Sequence, residues 1–134
     1  MTEEVDGILA RLKDWSATKK DVIRLKEIAD LGDTKASLNY GICLFVGHLV
    51  EEDKEKASKY FEKVYLSGTI EELNELASFY DEVGGPAYRN MSDMVVEKAM
   101  SKFMNLPFKN QLEFLRKNAN IERLKEVIIG FENQ

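Results

Sequence analysis

Apolar residues recur at steps of three and four along most of this 134-residue chain, a spacing that places them on one face of an α-helix. The first stretch, Thr2 to about Trp15, predicts a helix whose buried stripe consists of Val5, Ile8, Leu9, Leu12 and Trp15. Further helices are predicted over about 19–31, 34–46, 51–66, 69–83 and 92–104, then from Pro107 and after Asn120. The pattern predicts eight helices and no strands, an all-α fold.

The predicted helix over 34–46 differs from the others because apolar residues lie all round it. Such a helix is central to a fold, or it presents one side to a partner. Two glycines, Gly32 and Gly68, end similar helices thirty-six residues apart, and glycine favours the left-handed conformation that closes helices. The segment between them is predicted to form one helix-turn-helix repeat, with a period typical of helical solenoids.

Within this repeat, small residues stand where two helices would touch, glycine lies in the turn, and an Asp-x-x-Lys-Ala start precedes two aromatic residues. The positions are Ala36, Gly41, Gly47, Val50, Asp53, Lys56, Ala57, Tyr60, Phe61, Lys63 and Gly68. This pattern resembles the Sel-one-like repeat family, a relative of the tetratricopeptide class. Leu49 departs from it, because the family's turn usually has a second glycine there, and Leu44 stands where a tyrosine is usual.

The resemblance implies a short right-handed α-solenoid of antiparallel helix pairs that ends in a helical cap. Its best repeat is 33–68, with degenerate neighbours at 17–32 and 69–90 and a cap at 91–134. The chain length fits a single helical-repeat domain, 1–134.

Gly41 lies inside a predicted helix, where a glycine costs about 1 kcal/mol relative to alanine. Its position is therefore sensible only if two helix backbones approach closely there. We expect Ala57 to face it and Tyr60 and Phe61 to fill the adjoining groove, and we expect Gly41→Leu to be severely destabilising.

The resemblance also implies a function, since such scaffolds are adaptors that bind another protein on the concave face lined by first helices. On that face the third helix would present an apolar strip, which comprises Lys35, Leu38, Ile42, Phe45 and Val46. The fifth helix would present an acidic strip, which comprises Glu71, Asn74, Ser78, Asp81 and Glu82. Two alternatives remain open: the terminal helices cover the apolar strip, or the acidic strip is only a solvated helix face.

The formal net charge of −5 argues against nucleic-acid binding, which needs a basic footprint. It suits a basic partner, so a small immunity or inhibitor protein that neutralises a basic toxin is the alternative to an adaptor. Acid-dependent binding would collapse as salt rises, whereas apolar docking would survive. In either case the expected partner is another protein, and the chain itself is a monomer or weak homodimer.

The candidate chemistry is sparse. The single histidine, His48, falls in a turn, and the single cysteine, Cys43, lies among apolar residues as a buried small hydrophobe would. No spacing typical of a zinc site or a phosphate-binding loop is present. We expect a protein that is not an enzyme and has no cofactor; a hydrolase that uses carboxylates near Asp81 is the remaining enzymatic alternative.

The longest apolar run, Ile42 to Val50, is much shorter than the roughly 20 residues that span a bilayer. The acidic N-terminal residues lack the basic start and apolar stretch of a secretory signal. We therefore expect a cytoplasmic protein, of bacterial style, with no membrane partner.

Overall fold

In a computed structural model of the protein, the structure describes residues 2–117. Within this range the chain forms seven α-helices and no strand. The helices are Thr2–Lys13 (α1), Lys19–Asp30 (α2), Thr34–Val46 (α3), Lys54–Ser67 (α4), Ile70–Val83 (α5), Pro86–Met104 (α6) and Phe108–Lys117 (α7). The all-α prediction is confirmed. The helix predicted after Asn120 lies outside the described residues.

The described helices divide at Gly68 into two compact units. In the first unit α3 packs against α2 and α4, and α1 contacts both α2 and α3. In the second unit α5 packs against α6, and the rings of Phe103 in α6 and Phe114 in α7 meet edge to face. The boundary coincides with the end of the predicted repeat 33–68.

Side-chain caps determine where several helices begin. Thr18 before α2 and Thr69 before α5 each form a capping box, in which the cap hydroxyl accepts a backbone N–H and a carboxylate reaches back. The carboxylates of Asp33 and Asp53 accept N–H groups in the first turns of α3 and α4. The sequence starts the fourth helix at Glu51, and the structure starts it after Asp53, because this carboxylate is the cap.

The sequence predicts a loop between α5 and a helix that starts at Ser92, but α6 begins at Pro86. Gly84 and Gly85 make the whole reversal, with φ angles of 80° and 94°, and proline suits a first helical position because it has no N–H to leave unpaired. The first turns of α6 carry few buried side chains, so hydrophobic periodicity does not reveal them.

Helix α3 is the centre of the first unit, which is one of the two alternatives that its all-round apolar pattern left open. Its buried residues point in every direction: Ala36, Ser37, Leu38, Tyr40, Gly41, Cys43, Leu44 and Phe45. A Cβ atom on Gly41 would lie only 2.6 Å from Cε1 of Phe61 in α4. Gly41 therefore lies at a close contact between α3 and α4, as predicted, but its nearest neighbour is the ring of Phe61, where the sequence predicts Ala57 and a second helix backbone.

Candidate functional site

Trp15 does not belong to the buried stripe that the sequence predicts for the first helix. Helix α1 ends at Lys13, and the chain reverses so that the amide of Ser16 donates to the carbonyl of Arg11 at 2.9 Å. Trp15 occupies the left-handed position of this reversal, with φ 65°, where glycine is usual. The turn carries the indole out of the helical stripe, and 80% of Trp15 is exposed.

Within residues 2–117, Trp15 and Leu49 are the two non-glycine residues with positive φ. For such residues the left-handed conformation costs roughly 1–2 kcal/mol. Both lie beside His48: the Trp15 and His48 rings meet edge to face with centroids 5.4 Å apart, and Leu49 follows His48 in the chain. Backbone strain is thus concentrated at one place in the first unit.

An open groove of about 390 Å³ lies at this place. It runs between the end of α1 and the end of α3, and the residues that line it are Leu12, Trp15, Asn39, Ile42, Cys43, Val46, Gly47 and His48. Most of these side chains are apolar, and 55% of Val46 is exposed. We call this surface the Trp15 groove.

Asn39 and Cys43 bring polar atoms to the Trp15 groove. The Nδ2 of Asn39 donates to the carbonyl of Lys35 at 2.9 Å, which leaves the side-chain oxygen as an acceptor. Cys43 is buried, and burial raises the pKa of its thiol to about 11. The thiol is therefore neutral at physiological pH and forms part of an uncharged wall, as the sequence predicts for a buried cysteine.

Ion pairs hold α1 in the position that forms the groove. Arg11 makes a bidentate pair with Asp21 of α2 at 3.0 and 2.8 Å, and Lys35 of α3 reaches Asp6 at 2.8 Å. Arg24 of α2 makes a second bidentate pair, with Glu4. Together with the buried side chains of α1, Val5 and Ile8, these pairs place Leu12 and Trp15 beside α3.

The residues of the predicted apolar strip are divided by the structure. Leu38 is fully buried, and Phe45 is buried with its ring beside Phe61 and under the Lys54 ammonium. These two side chains are not available to a partner, which corrects the prediction: α3 is packed on more than one side. Ile42 and Val46 do line an open surface, the Trp15 groove. Lys35 is half-buried and holds Asp6 instead.

The predicted acidic strip lies on α5 in the second unit. Glu71, Ser78 and Glu82 are exposed there, while Asn74 and Asp81 are half-buried. Asp81 forms an ion pair with Arg89 of α6 at 3.6 Å, beside a small pocket of about 170 Å³ that Tyr80, Gly84 and Gly85 help to line. The positive Arg89 thus partly offsets the negative strip.

Sequence reasoning missed Trp15, Leu12, Asn39 and His48 as members of one surface. A local signal was present, since the Asp14 carboxylate accepts the Ser16 amide at 2.9 Å, and Asp-x-Ser is a turn-forming sequence. This turn sequence predicts an earlier end for α1 and excludes Trp15 from the buried stripe of that helix.

Comparisons with protein-family models, curated proteins and solved structures found no match to the chain. None of the helices within residues 2–117 is long and apolar enough to cross a bilayer. In the same part of the chain no three side chains of metal-binding type come together.

Proposed function

We propose that this protein is a non-catalytic docking module that binds a segment of a partner protein in the Trp15 groove. The observation that supports the proposal is an exposed tryptophan held in a strained backbone conformation at the rim of an apolar groove. Exposure of an indole and left-handed strain both reduce stability, and such strain is concentrated where proteins bind ligands. Tryptophan is also among the residues that contribute most to protein–protein affinity.

The size of the Trp15 groove determines how a partner would use it. Its volume, about 390 Å³, is at the lower end of the roughly 300–1,000 Å³ range of ligand pockets. This is room for one or two side chains and not for a whole helix. The proposed mode is an anchor residue in the groove, with flanking partner residues on the surrounding surface.

The proposal also includes the solenoid arrangement and the likeness to Sel-one-like repeat proteins, on which the adaptor interpretation depends, and a cytoplasmic location. An inhibitor of a basic partner is the second candidate, supported by the exposed carboxylates Glu71 and Glu82 on α5. The double substitution of both residues to Gln would weaken inhibitor-type binding and would not weaken docking in the groove, which lies in the other unit.

The test begins with the full chain as bait in an extract of the organism that encodes it. Each captured protein is then purified, and its Kd is measured against wild type, Trp15→Ala and Ile23→Ala. Ile23 is the matched control, since it is an exposed apolar residue of α2 that does not line the groove. Trp15→Ala should raise the Kd of the true partner about thirtyfold or more, as expected for a residue at the centre of an interface. Equal Kd values for the three proteins would refute docking at the groove.

A further inference from the structure

We propose that the Trp15 groove recognises an arginine side chain of a basic partner segment. This inference rests on the proposed function, which it makes more specific by naming the anchor residue. It is carried by three properties of the groove: an open indole, an apolar wall with one acceptor, and an acidic residue next to each of two lining residues, Trp15 and Gly47.

The open indole supplies an attractive surface for a cation. Trp15 is 80% exposed, so most of its ring surface is available despite the edge contact with His48. Tryptophan binds cations over its face more strongly than phenylalanine or tyrosine does. Among the protein cations, the planar and weakly hydrated guanidinium of arginine stacks on aromatic faces better than the compact ammonium of lysine.

The wall of the groove suits the rest of an arginine side chain. Leu12, Ile42 and Val46 line it with apolar surface, against which a methylene stem can be buried while the charged head stays near the rim. The oxygen of Asn39 is an acceptor, because its Nδ2 already donates to the backbone of Lys35. Guanidinium has donors but no acceptor, so this oxygen matches it.

Charge around the groove is complementary to a cation. No lysine or arginine lines the groove, and Asp14 adjoins Trp15 in the chain. Hydrogen bonds from the Ser16 hydroxyl and amide hold the pKa of Asp14 below its ordinary value, so this carboxylate stays ionised at neutral pH.

A second carboxylate, that of Glu52, belongs to a residue beside Gly47, which lines the groove: a Cβ atom on Gly47 would lie 3.2 Å from the Cβ of Glu52. Three cations reduce this negative field: Arg11, whose charge acts on Asp14, Lys13 next to Asp14, and Lys54, which pairs with Glu52 at 3.6 Å. None of the three lines the groove. The chain's net charge of −5 adds a long-range attraction for a basic partner.

The experiment uses Trp15 itself as the reporter, because it is the single tryptophan of the chain. The full-length protein is titrated with four blocked peptides, acetyl-Ala-Leu-Xaa-Leu-Ala-amide, in which Xaa is arginine, lysine, citrulline or methionine. Citrulline has nearly the shape of arginine without its charge. The arginine peptide should shift the Trp15 emission and bind at least about fivefold tighter than the citrulline peptide, the effect of a cation–π contact of about 1 kcal/mol.

Three variants give the controls, with binding followed by the methyl NMR signals of Ile42 and Val46 so that the loss of Trp15 does not remove the signal. Trp15→Leu keeps apolar surface but has no aromatic face, and it should abolish the preference for arginine over citrulline. Asp14→Asn should weaken the arginine peptide about twofold to threefold and leave the methionine peptide unchanged. Ile23→Ala should alter neither.

Equal binding of the arginine, citrulline and methionine peptides would overturn this inference while leaving the proposed docking function in place. Failure of every peptide to perturb Trp15 or the methyl signals at millimolar concentration would also overturn it. A concentration-dependent Trp15 shift in the protein alone, matched by dimerisation in sedimentation, would assign the groove to a second copy of the chain and would contradict both proposals.

Discussion

Helix α3 takes part in two regions of the first unit that use side-chain size in opposite ways. At the seam with α4, a glycine stands inside a helix, where glycine is unfavourable, because Phe61 leaves no room for a Cβ atom on Gly41. At the Trp15 groove, Trp15 stands in a left-handed position, where glycine would be favourable, and so does Leu49, which follows the lining residue His48 in the chain. Packing explains why a glycine stands at position 41, and it does not explain why non-glycine residues stand in the left-handed positions 15 and 49.

The difference indicates what each region is for. At the seam, close packing between α3 and α4 offsets the unfavourable helix propensity of Gly41, so the residues there contribute to stability. The groove keeps a local backbone cost at Trp15 and leaves 80% of this residue exposed, with an edge contact to the His48 ring. Contacts of a partner with the exposed indole would compensate for this cost. The following predictions test the contrast between the two regions, from the largest expected effect to the smallest.

The largest effect is expected at the seam. Gly41→Leu should abolish folding or reduce the free energy of unfolding by about 3 kcal/mol or more, because a buried aromatic ring and two helix backbones would have to move. Gly41→Ala should still destabilise, by about 1–2 kcal/mol, since its Cβ would lie 2.6 Å from a ring atom of Phe61. Urea unfolding followed by circular dichroism measures both. A Gly41→Ala protein more stable than wild type would show that the seam is not tightly packed.

The outcome at Gly41 also shows how far sequence reasoning reached. Hydrophobic periodicity and helix-end residues located the helices and the seam, because the spacing of apolar residues along the sequence reflects helix formation and burial of one helix face. Two residues of the apolar strip, Leu38 and Phe45, are buried and do not face a partner, because their exposure depends on how neighbouring helices pack around α3. The groove itself was missed, because it arises where α1 stops and reverses, and the apolar spacing continues through Trp15 although the turn-forming residues Asp14 and Ser16 flank it.

Cys43 lies at the border of the two regions, on the wall of the groove but buried. Burial raises its pKa from 9.0 to about 11, so the folded thiol keeps its proton at a pH where the unfolded thiol has lost it. Between about pH 9 and 11 the unfolded state therefore binds fewer protons, and the free energy of unfolding should fall with rising pH by about 1–3 kcal/mol. Below pH 9 the thiol makes no pH-dependent contribution.

Urea unfolding at several pH values measures this decline, and Cys43→Ala is the control. Burial also raises the pKa of Tyr80 to about 12, so some alkaline destabilisation will remain in the variant, and the difference between the two pH curves isolates Cys43. Native alkylation at pH 8 should likewise be slow and accelerate on unfolding. Rapid alkylation of the folded protein would place the thiol on the open surface instead.

The strain at Trp15 predicts that two variants, both of which should lose binding, differ in stability. Trp15→Gly should be about 1 kcal/mol more stable than Trp15→Ala, because both remove the indole and its contact with His48 but only glycine relieves the left-handed backbone. Thermal unfolding of the pair measures the difference. Equal stabilities would mean that the backbone at this position is unstrained and that the turn at Trp15 loses no stability for the sake of binding.

The smallest effect is expected at Gly7, a glycine inside α1 that provides the counterpart to Gly41. A Cβ atom on Gly7 would meet only the Arg11 guanidinium, at the ordinary contact distance of 3.5 Å, so nothing requires a glycine here. Gly7→Ala should stabilise the protein by about 0.5–1 kcal/mol through helix propensity. Comparison with Gly41→Ala in the same urea experiment gives opposite signs for the same chemical change. Destabilisation by Gly7→Ala would instead show that α1 is packed as tightly around Gly7 as α3 and α4 are around Gly41.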